Sequence, residues 1–94
     1  MTKEEIAAAV EEHGEAFNAY VSLFGEEYAT VEGFEEAYSG QFSSDEDFAR
    51  DMAEQLGSIN KDVAWPYTCI DWEWAARELM YDYAEEDGYY FRNV

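Results

Sequence analysis

Residues 43–57 read SSDEDFARDMAEQLG, and they carry the signals of one complete helix. Two adjacent serines, each followed three residues later by an acid, provide alternative N-caps: Ser43 with Glu46, or Ser44 with Asp47. Apolar side chains recur every four residues on the face expected to turn inward: Phe48, Met52 and Leu56. Gly57 predicts the end of the helix, because glycine commonly follows a last helical turn.

The outer face of the same helix is predicted to be acidic. Asp47, Asp51 and Glu54 recur at i, i+4 and i+7, which places them in one stripe. Four helical residues rise about 6 Å, a distance close to the separation of successive phosphates along a nucleic-acid strand. Like charges at this spacing destabilise a helix by some tenths of a kcal/mol per pair. The stripe therefore suggests a function that uses the charges.

Capping residues, apolar spacings and glycines predict four more helices around this stretch. Three precede it: from Thr2 to Gly14, from 15 to Gly25, and from Thr30 to Tyr38, after which the stretch 38–42 breaks the period. Residues 58–66 are expected to form a loop, and 67–70 a short strand. Asp71 is expected to cap the fifth and longest helix, whose apolar stripe runs from Trp72 to Tyr83 and which ends at Gly88. Residues 89–91 then suggest a terminal strand.

The predicted fold class is mainly α, with about five helices and a small β element near the C-terminus; an α+β fold is the alternative. The 94 residues are expected to form a single acidic domain, or two subdomains at 1–29 and 30–94. No apolar run approaches the ~20 residues that a membrane span needs. No charged and apolar leader opens the chain, and the lone Cys69 fits a reducing compartment. These features predict a reducing cytoplasm.

The charge balance restricts the class of partner. The chain has 23 acidic and 5 basic residues, a net charge of -18, yet 48% of its residues are hydrophobic and 18% are aromatic. Polyanionic chains that are poor in aromatics are usually disordered, whereas this composition can bury a core. The acidity argues against direct binding to nucleic acids or anionic membranes. A basic partner is therefore expected, such as a DNA-binding protein.

Eleven acids on the outer faces of the third, fourth and fifth predicted helices are candidate partner-binding residues. They are Glu32, Glu35, Glu36, Asp47, Asp51, Glu54, Glu78, Asp82, Glu85, Glu86 and Asp87. Two bases are expected to be spent on local pairs: Arg50 with Glu46 and Glu54, and Arg77 with Glu73. Two alternatives remain open at this point, an acidic face that is merely solvated and a general adaptation to high salt.

The aromatic residues near the C-terminus exceed what one small core needs. If Trp72 faces the core, Trp74 points away from it on the same helix. Exposed aromatics of this kind favour a protein interface, and a homodimer interface is expected at Trp65, Trp74, Tyr81, Tyr89 and Tyr90. The alternative is that these side chains pack beneath the loop at 58–66.

The motifs of common catalytic and metal sites do not occur. His13 is the only histidine and Cys69 the only cysteine, and neither HExxH nor CxxC is present. The chain is therefore not expected to be an enzyme, and no cofactor or metal is expected. A metal site built from carboxylates alone is the weaker alternative.

Several segments resemble the ArdA antirestriction family. They are HGEAF at 13–17, FEEAYSGQFSSDEDFA at 34–49 and continuing to Gly57, IDWEWAAREL at 70–79, and YFR at 90–92 after an acidic turn. The Tyr-x-Gly-x-Phe segment before an acidic, serine-initiated helix is the most distinctive part. The likeness covers most of the chain and corresponds to the middle and C-terminal parts of the family, with the N-terminal part missing.

The resemblance implies an acidic, dimeric DNA mimic, carried by a phage or mobile element, that occupies the DNA-binding groove of Type I restriction–modification enzymes. It adds Asp45 and Glu46 to the candidate acids, because both lie inside the matching segment. A short member of the family is expected to act on another DNA-handling defence complex, such as a CRISPR effector. The alternative function is an acidic adaptor that binds a basic protein away from any DNA site.

Overall fold

The computed structural model describes residues 1–57, 62 and 64–93. These residues form six helices and three strands: α1 (Lys3–His13), α2 (Glu15–Phe24), α3 (Val31–Ala37), β1 (Tyr38–Gln41), α4 (Asp45–Gln55), α5 (Ala64–Tyr67), α6 (Trp72–Leu79), β2 (Tyr83–Glu86) and β3 (Tyr89–Arg92). The predicted class, mainly α with a small β element near the C-terminus, is confirmed. Within the described ranges, no helix combines the length and the hydropathy that crossing a membrane requires.

The chain divides into two compact units. The first unit comprises Met1–Gln41 and Tyr83–Val94, and the second comprises Phe42–Asp82. The first unit carries 13 acids and two bases, a net charge of −11, and the second carries ten acids and three bases, a net charge of −7. Each unit is therefore strongly acidic by itself.

Helix α1 begins at a capping box, as the sequence predicts. The backbone N–H of Glu5 donates to Thr2 Oγ1 over 3.2 Å, and the backbone N–H of Thr2 donates to Glu5 Oε1 over 2.9 Å. The bonds from Thr2, the backbone one first, hold the pKa of the Glu5 carboxyl below its ordinary value. Gly14, at φ 80°, then separates α1 from α2.

The core of the first unit is a set of aromatic rings that pack at tilted angles to one another. Phe17, Phe34 and Phe91 are 0%, 4% and 0% exposed. The ring centroids of Phe17 and Phe34 lie 5.2 Å apart, and those of Phe34 and Phe91 lie 6.0 Å apart. Buried alanines complete this core, because their small side chains let the helix backbones approach: Ala9, Ala16, Ala19, Ala29 and Ala37. Phe91 thus ties the last strand to the helices.

A three-stranded antiparallel sheet completes the first unit, in the order β1-β3-β2. Phe91 in the central strand pairs with Tyr38 on one side and Ala84 on the other. Strands β2 and β3 are joined by Asp87 and Gly88, whose φ angles are 54° and 87°. Positive φ at both central positions is typical of a two-residue hairpin turn, for which Asp-Gly is a favoured sequence.

The second unit is built on α4 packed against α6. Ser44 caps α4, because its Oγ accepts the backbone N–H of Asp47 over 3.1 Å. Asp71 caps α6 in the same way, accepting the backbone N–H of Trp74 over 3.0 Å. The two caps confirm the predicted helix starts. Among the described residues of this unit, the buried hydrophobic side chains lie on the same two helices: Phe48, Ala49 and Ala76.

The prediction of a long fifth helix is wrong. Helix α6 ends at Leu79 with Met80 as its C-cap, and it is shorter than α1 and α4. Tyr83, predicted to continue the apolar stripe, lies in β2 instead. The Asp87–Gly88 turn decides this, because the hairpin it forms gives β3 a neighbouring strand.

Further local predictions also need correction. The strand predicted at 67–70 does not form: Tyr67 ends α5, and the backbone N–H of Cys69 donates to the carbonyl of Pro66. Tyr38 lies in β1, not in the third helix, because β3 supplies its hydrogen-bond partners. Leu56 is 71% exposed, since α4 ends one residue before it. Of the predicted loop at 58–66, residues 58–61 and 63 lie outside the described ranges, and 64–66 belong to α5.

We expect Phe91→Ala to lower the free energy of unfolding by about 3–5 kcal/mol, because it empties a fully buried aromatic site. Urea unfolding followed by circular dichroism at constant salt measures the change. Tyr28→Ala is the matched control, since Tyr28 is 78% exposed and its removal should cost no more than ~0.5 kcal/mol. Equal destabilisation by the two variants would contradict the assignment of this core, and Phe91→Leu replaces Phe91→Ala if the latter does not fold.

Candidate functional site

All 23 acidic residues lie within the described ranges, and none of them is buried. Eighteen are exposed and five are partly buried. The five are Glu46, Asp47, Asp51, Glu54 and Glu86. Four of them belong to α4, so the acidic residues of this helix are more shielded from solvent than those of the other helices.

The acidic stripe of α4 is held in place by local hydrogen bonds. The Ser43 hydroxyl donates to Asp47 Oδ2, and Arg50 donates to Asp47 Oδ1 over 3.0 Å. The Gln55 amide donates to Asp51 Oδ2. The hydrogen bond from Ser43 is the main cause that holds the pKa of Asp47 below its ordinary value, and the nearby Arg50 charge adds to it. Asp47 therefore stays ionised to a lower pH than an unperturbed aspartate does.

The acids of α3 lie opposite the aromatic core. Glu32, Glu35 and Glu36 are exposed, while Phe34 and Ala37 on the same helix are buried. Glu32 lies in the first turn, where a negative charge is favoured by the helix dipole. These carboxylates are directed towards solvent and are accessible to a partner.

The acids between 78 and 87 do not form the predicted helical stripe. Glu78 lies on α6 and Asp82 in the turn after it, both in the second unit. Glu85 and Glu86 are neighbours on β2, where successive side chains point to opposite faces, and Asp87 lies in the hairpin turn. The Glu85 carboxylate accepts the backbone N–H of Gly88 over 2.8 Å. The helical spacing that suggested one row here is therefore absent.

Other exposed acids were not included among the candidates. Glu4, Glu11 and Glu12 are exposed on α1, and Glu26 and Glu27 are exposed in the connection between α2 and α3. A signal was present for α1, because Glu4 and Glu11 are seven residues apart and so lie on the same helix face. These acids provide a comparison surface with no assigned role.

Two arginines form local ion pairs, one of them differently from the prediction. Arg50 pairs with Asp47 at i−3, not with Glu46 and Glu54, and its guanidinium lies 5.6 Å from the centroid of the Trp72 ring. Trp72 lies on α6, so this contact holds the guanidinium towards α6. Asp47 is the carboxylate that Arg50 reaches from this position. Arg77 pairs with Glu73 over 3.6 Å, as predicted. Both pairs are solvent-exposed, and such pairs contribute about 0–1 kcal/mol.

The aromatic residues assigned to an interface separate into two groups. Trp65, Trp74 and Tyr81 are 73%, 59% and 74% exposed. Tyr89 is partly buried against the core, and Tyr90 is only 2% exposed. At this exposure Tyr90 offers almost no surface to a partner.

The described residues offer little for catalysis or metal binding. His13 packs between Phe17 and Phe34, and its Nε2 is buried without a hydrogen-bond partner among these residues. Cys69 is exposed as a free thiol. Across the described ranges, no three histidine, cysteine or acidic side chains are grouped so as to hold a metal ion. The chemical capacity of the surface is electrostatic: carboxylates that can pair with cationic groups.

Residues 2–91 match a family model described as antirestriction protein (ArdA). The match covers almost the whole chain, including both units. No curated protein and no solved structure gives a match.

Ser43→Ala is expected to raise the pKa of Asp47, because it removes the hydrogen bond that most favours the ionised carboxylate. Since that pKa is lowered in the folded protein, the bond stabilises the fold above the ordinary aspartate pKa of about 3.9, and this contribution is lost as the pH falls through the lowered value. Carboxyl NMR titration measures the pKa directly.

The same variant should be less stable than the unsubstituted protein at neutral pH, and the difference should close in acid. Ser22→Ala is the control, because Ser22 is an exposed serine on α2. An Asp47 pKa that does not change in Ser43→Ala would contradict the role given to this hydrogen bond.

Proposed function

Because the chain belongs to the antirestriction protein (ArdA) family, whose members inhibit restriction–modification enzymes, we propose that it acts as a DNA mimic. It occupies the cleft in which a Type I restriction–modification enzyme holds its DNA in the host cytoplasm. Carboxylates of the protein replace DNA phosphates and pair with the lysines and arginines that line the cleft. Inhibition is by stoichiometric binding, without a catalytic step.

The observation that carries the proposal is the stripe on α4. Asp47, Asp51 and Glu54 follow one another on one face of a helix, and hydrogen bonds orient the first two. Oriented carboxylates lose less side-chain entropy on pairing than freely rotating ones. The proposal also includes the exposed acids of α3 and the other candidate acids of the second unit: Glu32, Glu35, Glu36, Asp45, Glu46, Glu78 and Asp82. We also include three candidate acids on the β2–β3 hairpin: Glu85, Glu86 and Asp87.

The magnitude of the charge supports the same proposal. Duplex DNA carries one negative charge per ~1.7 Å of its axis, so a net charge of -18 equals that of roughly 31 Å of duplex. The protein thus carries about the net charge of a short DNA segment. A CRISPR effector, which holds nucleic acid in a positively charged channel, is a second target of the same chemistry.

We also propose that the protein forms a homodimer through two exposed aromatics of the second unit, Trp65 and Trp74. Both have large apolar surfaces open to solvent, and aromatic residues are enriched at interfaces. Two copies repel each other because both are strongly negative. Salt screens this repulsion, so dimerisation should strengthen as the salt concentration rises.

Reversing the three charges of the α4 stripe should abolish inhibition without unfolding the protein. The variant Asp47→Lys/Asp51→Lys/Glu54→Lys presents cations to a cationic cleft, and like charges there are strongly unfavourable. DNA cleavage by the target enzyme at increasing inhibitor concentration measures the effect, and circular dichroism checks folding.

The control for that variant is Glu11→Lys/Glu12→Lys/Glu27→Lys, which changes the net charge equally at exposed acids outside the candidate surface. The control should keep most of the inhibition. If the α4 variant inhibits at full strength, or if both variants lose inhibition equally, the stripe is not the phosphate mimic.

Salt should affect the two proposed associations in opposite directions. Raising NaCl from 0.05 to 0.5 M should weaken binding to the target by orders of magnitude, whereas the dimer should become more stable. Sedimentation equilibrium measures the dimer, and Trp74→Ser should shift it towards monomer. A monomer at both salt concentrations would contradict the dimer proposal and leave the DNA-mimic proposal unaffected.

A further inference from the structure

A groove on the second unit lies between the first turn of α4 and the length of α6. Its volume is about 350 Å³, within the range of sites that accept small molecules or single side chains. Asp45 and Glu46 line it from α4. The α6 side supplies Glu73, Ala76, Arg77, Met80 and Tyr81. One wall is therefore acidic, and the opposite wall is largely apolar.

The charges in this groove are incompletely balanced. Among the described residues that line the groove, Arg77 is the one cation, and it already pairs with Glu73 and lies 5.8 Å from the centroid of the Trp74 ring. Glu46 is partly buried, and it makes no hydrogen bond or ion pair with any described residue. A carboxylate beside an apolar surface can form a charge-assisted hydrogen bond with an incoming cation. The groove can therefore accept one further positive charge beside Glu46.

The apolar wall restricts which cation fits. Ala76 and Met80 provide a hydrocarbon floor, and Tyr81, 74% exposed, stands at the edge. No ring or cationic partner covers the face of Tyr81 in the described part of the chain. An arginine satisfies all three features: its methylene stem lies on apolar surface, its guanidinium stacks on an aromatic ring, and its planar fork bonds to a carboxylate. A lysine ammonium is more strongly hydrated and cannot form the planar stack.

We propose that this groove receives a single arginine side chain of the inhibited enzyme, with Glu46 as its carboxylate partner and Tyr81 as its stacking surface. The inference deepens the proposed function and rests on it, since the enzyme's cleft is expected to be rich in arginine. The groove would act as an anchor at one point of the interface, in addition to the distributed pairing along α4. It recognises the shape of a guanidinium as well as its charge.

Short peptides test the groove with the full-length protein and without the target enzyme. The probes are acetylated, amidated pentapeptides with two glycines on each side of a central arginine, lysine or citrulline. Chemical-shift changes in ¹H–¹⁵N spectra give affinities and locate the bound peptide. We expect arginine to shift the signals of Ala76, Met80 and Tyr81 and to bind several-fold more tightly than lysine, and citrulline to bind most weakly, because it lacks the charge.

Two variants and two matched controls complete the experiment. Tyr81→Ala and Glu46→Gln should each weaken arginine binding by about threefold or more, the magnitude of one exposed cation–π contact or charge-assisted bond. Tyr28→Ala and Glu11→Gln remove the same groups from exposed positions in the first unit and should leave binding unchanged. Tyr81→Ala should also weaken inhibition of the enzyme.

The proposed arginine site would be contradicted if the arginine and lysine peptides bound equally. It would also be contradicted if Glu46→Gln and Glu11→Gln weakened binding equally, because the affinity would then reflect overall charge. Selective peptide binding with unchanged inhibition by Tyr81→Ala would overturn its role in the complex. Neither result bears on the DNA-mimic proposal, which is tested by the charge-reversal variant of α4. Failure of the α4 test with selective arginine binding would instead remove the mimic and keep an arginine-binding groove.

Discussion

Electrostatic self-repulsion within a small folded chain is the constraint on which the other features depend. A net charge of -18 on 94 residues opposes compaction, and the described ion pairs at the surface are few and solvent-exposed. A dense aromatic core offsets this repulsion. Its residues Phe17, Phe34 and Phe91 are almost entirely excluded from water. Each buried aromatic side chain provides a large hydrophobic gain. Carboxylates are meanwhile kept out of the interior altogether.

Because of this repulsion, the placement of the acids on α4 indicates a function. A protein that needed only solubility would gain from neutralising neighbours, since like charges four residues apart destabilise a helix. Helix α4 instead keeps Asp47 and Asp51 on one face and orients them with Ser43 and Gln55. Both donors are neutral, and of the two carboxylates Asp47 is the one that also pairs with a cation, Arg50. This is the arrangement expected where a surface must remain negative towards a cationic partner.

The sequence predicts those parts of the fold that local signals determine. The caps at Thr2, Ser44 and Asp71 lie where the sequence places them, because a cap depends on residues three positions apart. The strands β1 and β2 were missed because they exist by pairing with β3, a contact distant in sequence for β1. For β2 a local signal did exist in Asp87–Gly88, and the apolar spacing up to Tyr83 obscured it.

The candidate acids divide in the same way, into those that local sequence signals place correctly and those that they do not. The acids of α3 and α4 could be assigned to outer faces because both helices were predicted, whereas the acids at 78–87 were misplaced together with the helix that was to carry them. The groove beside Glu46 and Tyr81 could not be predicted at all, since it arises from the packing of α4 against α6.

Competition with DNA for the target enzyme tests the central claim most directly. Binding of the protein to the enzyme is measured at constant salt, while duplex DNA bearing the enzyme's recognition site is added. If folded carboxylates take the place of phosphates, the apparent Kd should rise in proportion to the concentration of free duplex. An apparent Kd that stays constant while DNA saturates the enzyme would show that the protein binds elsewhere.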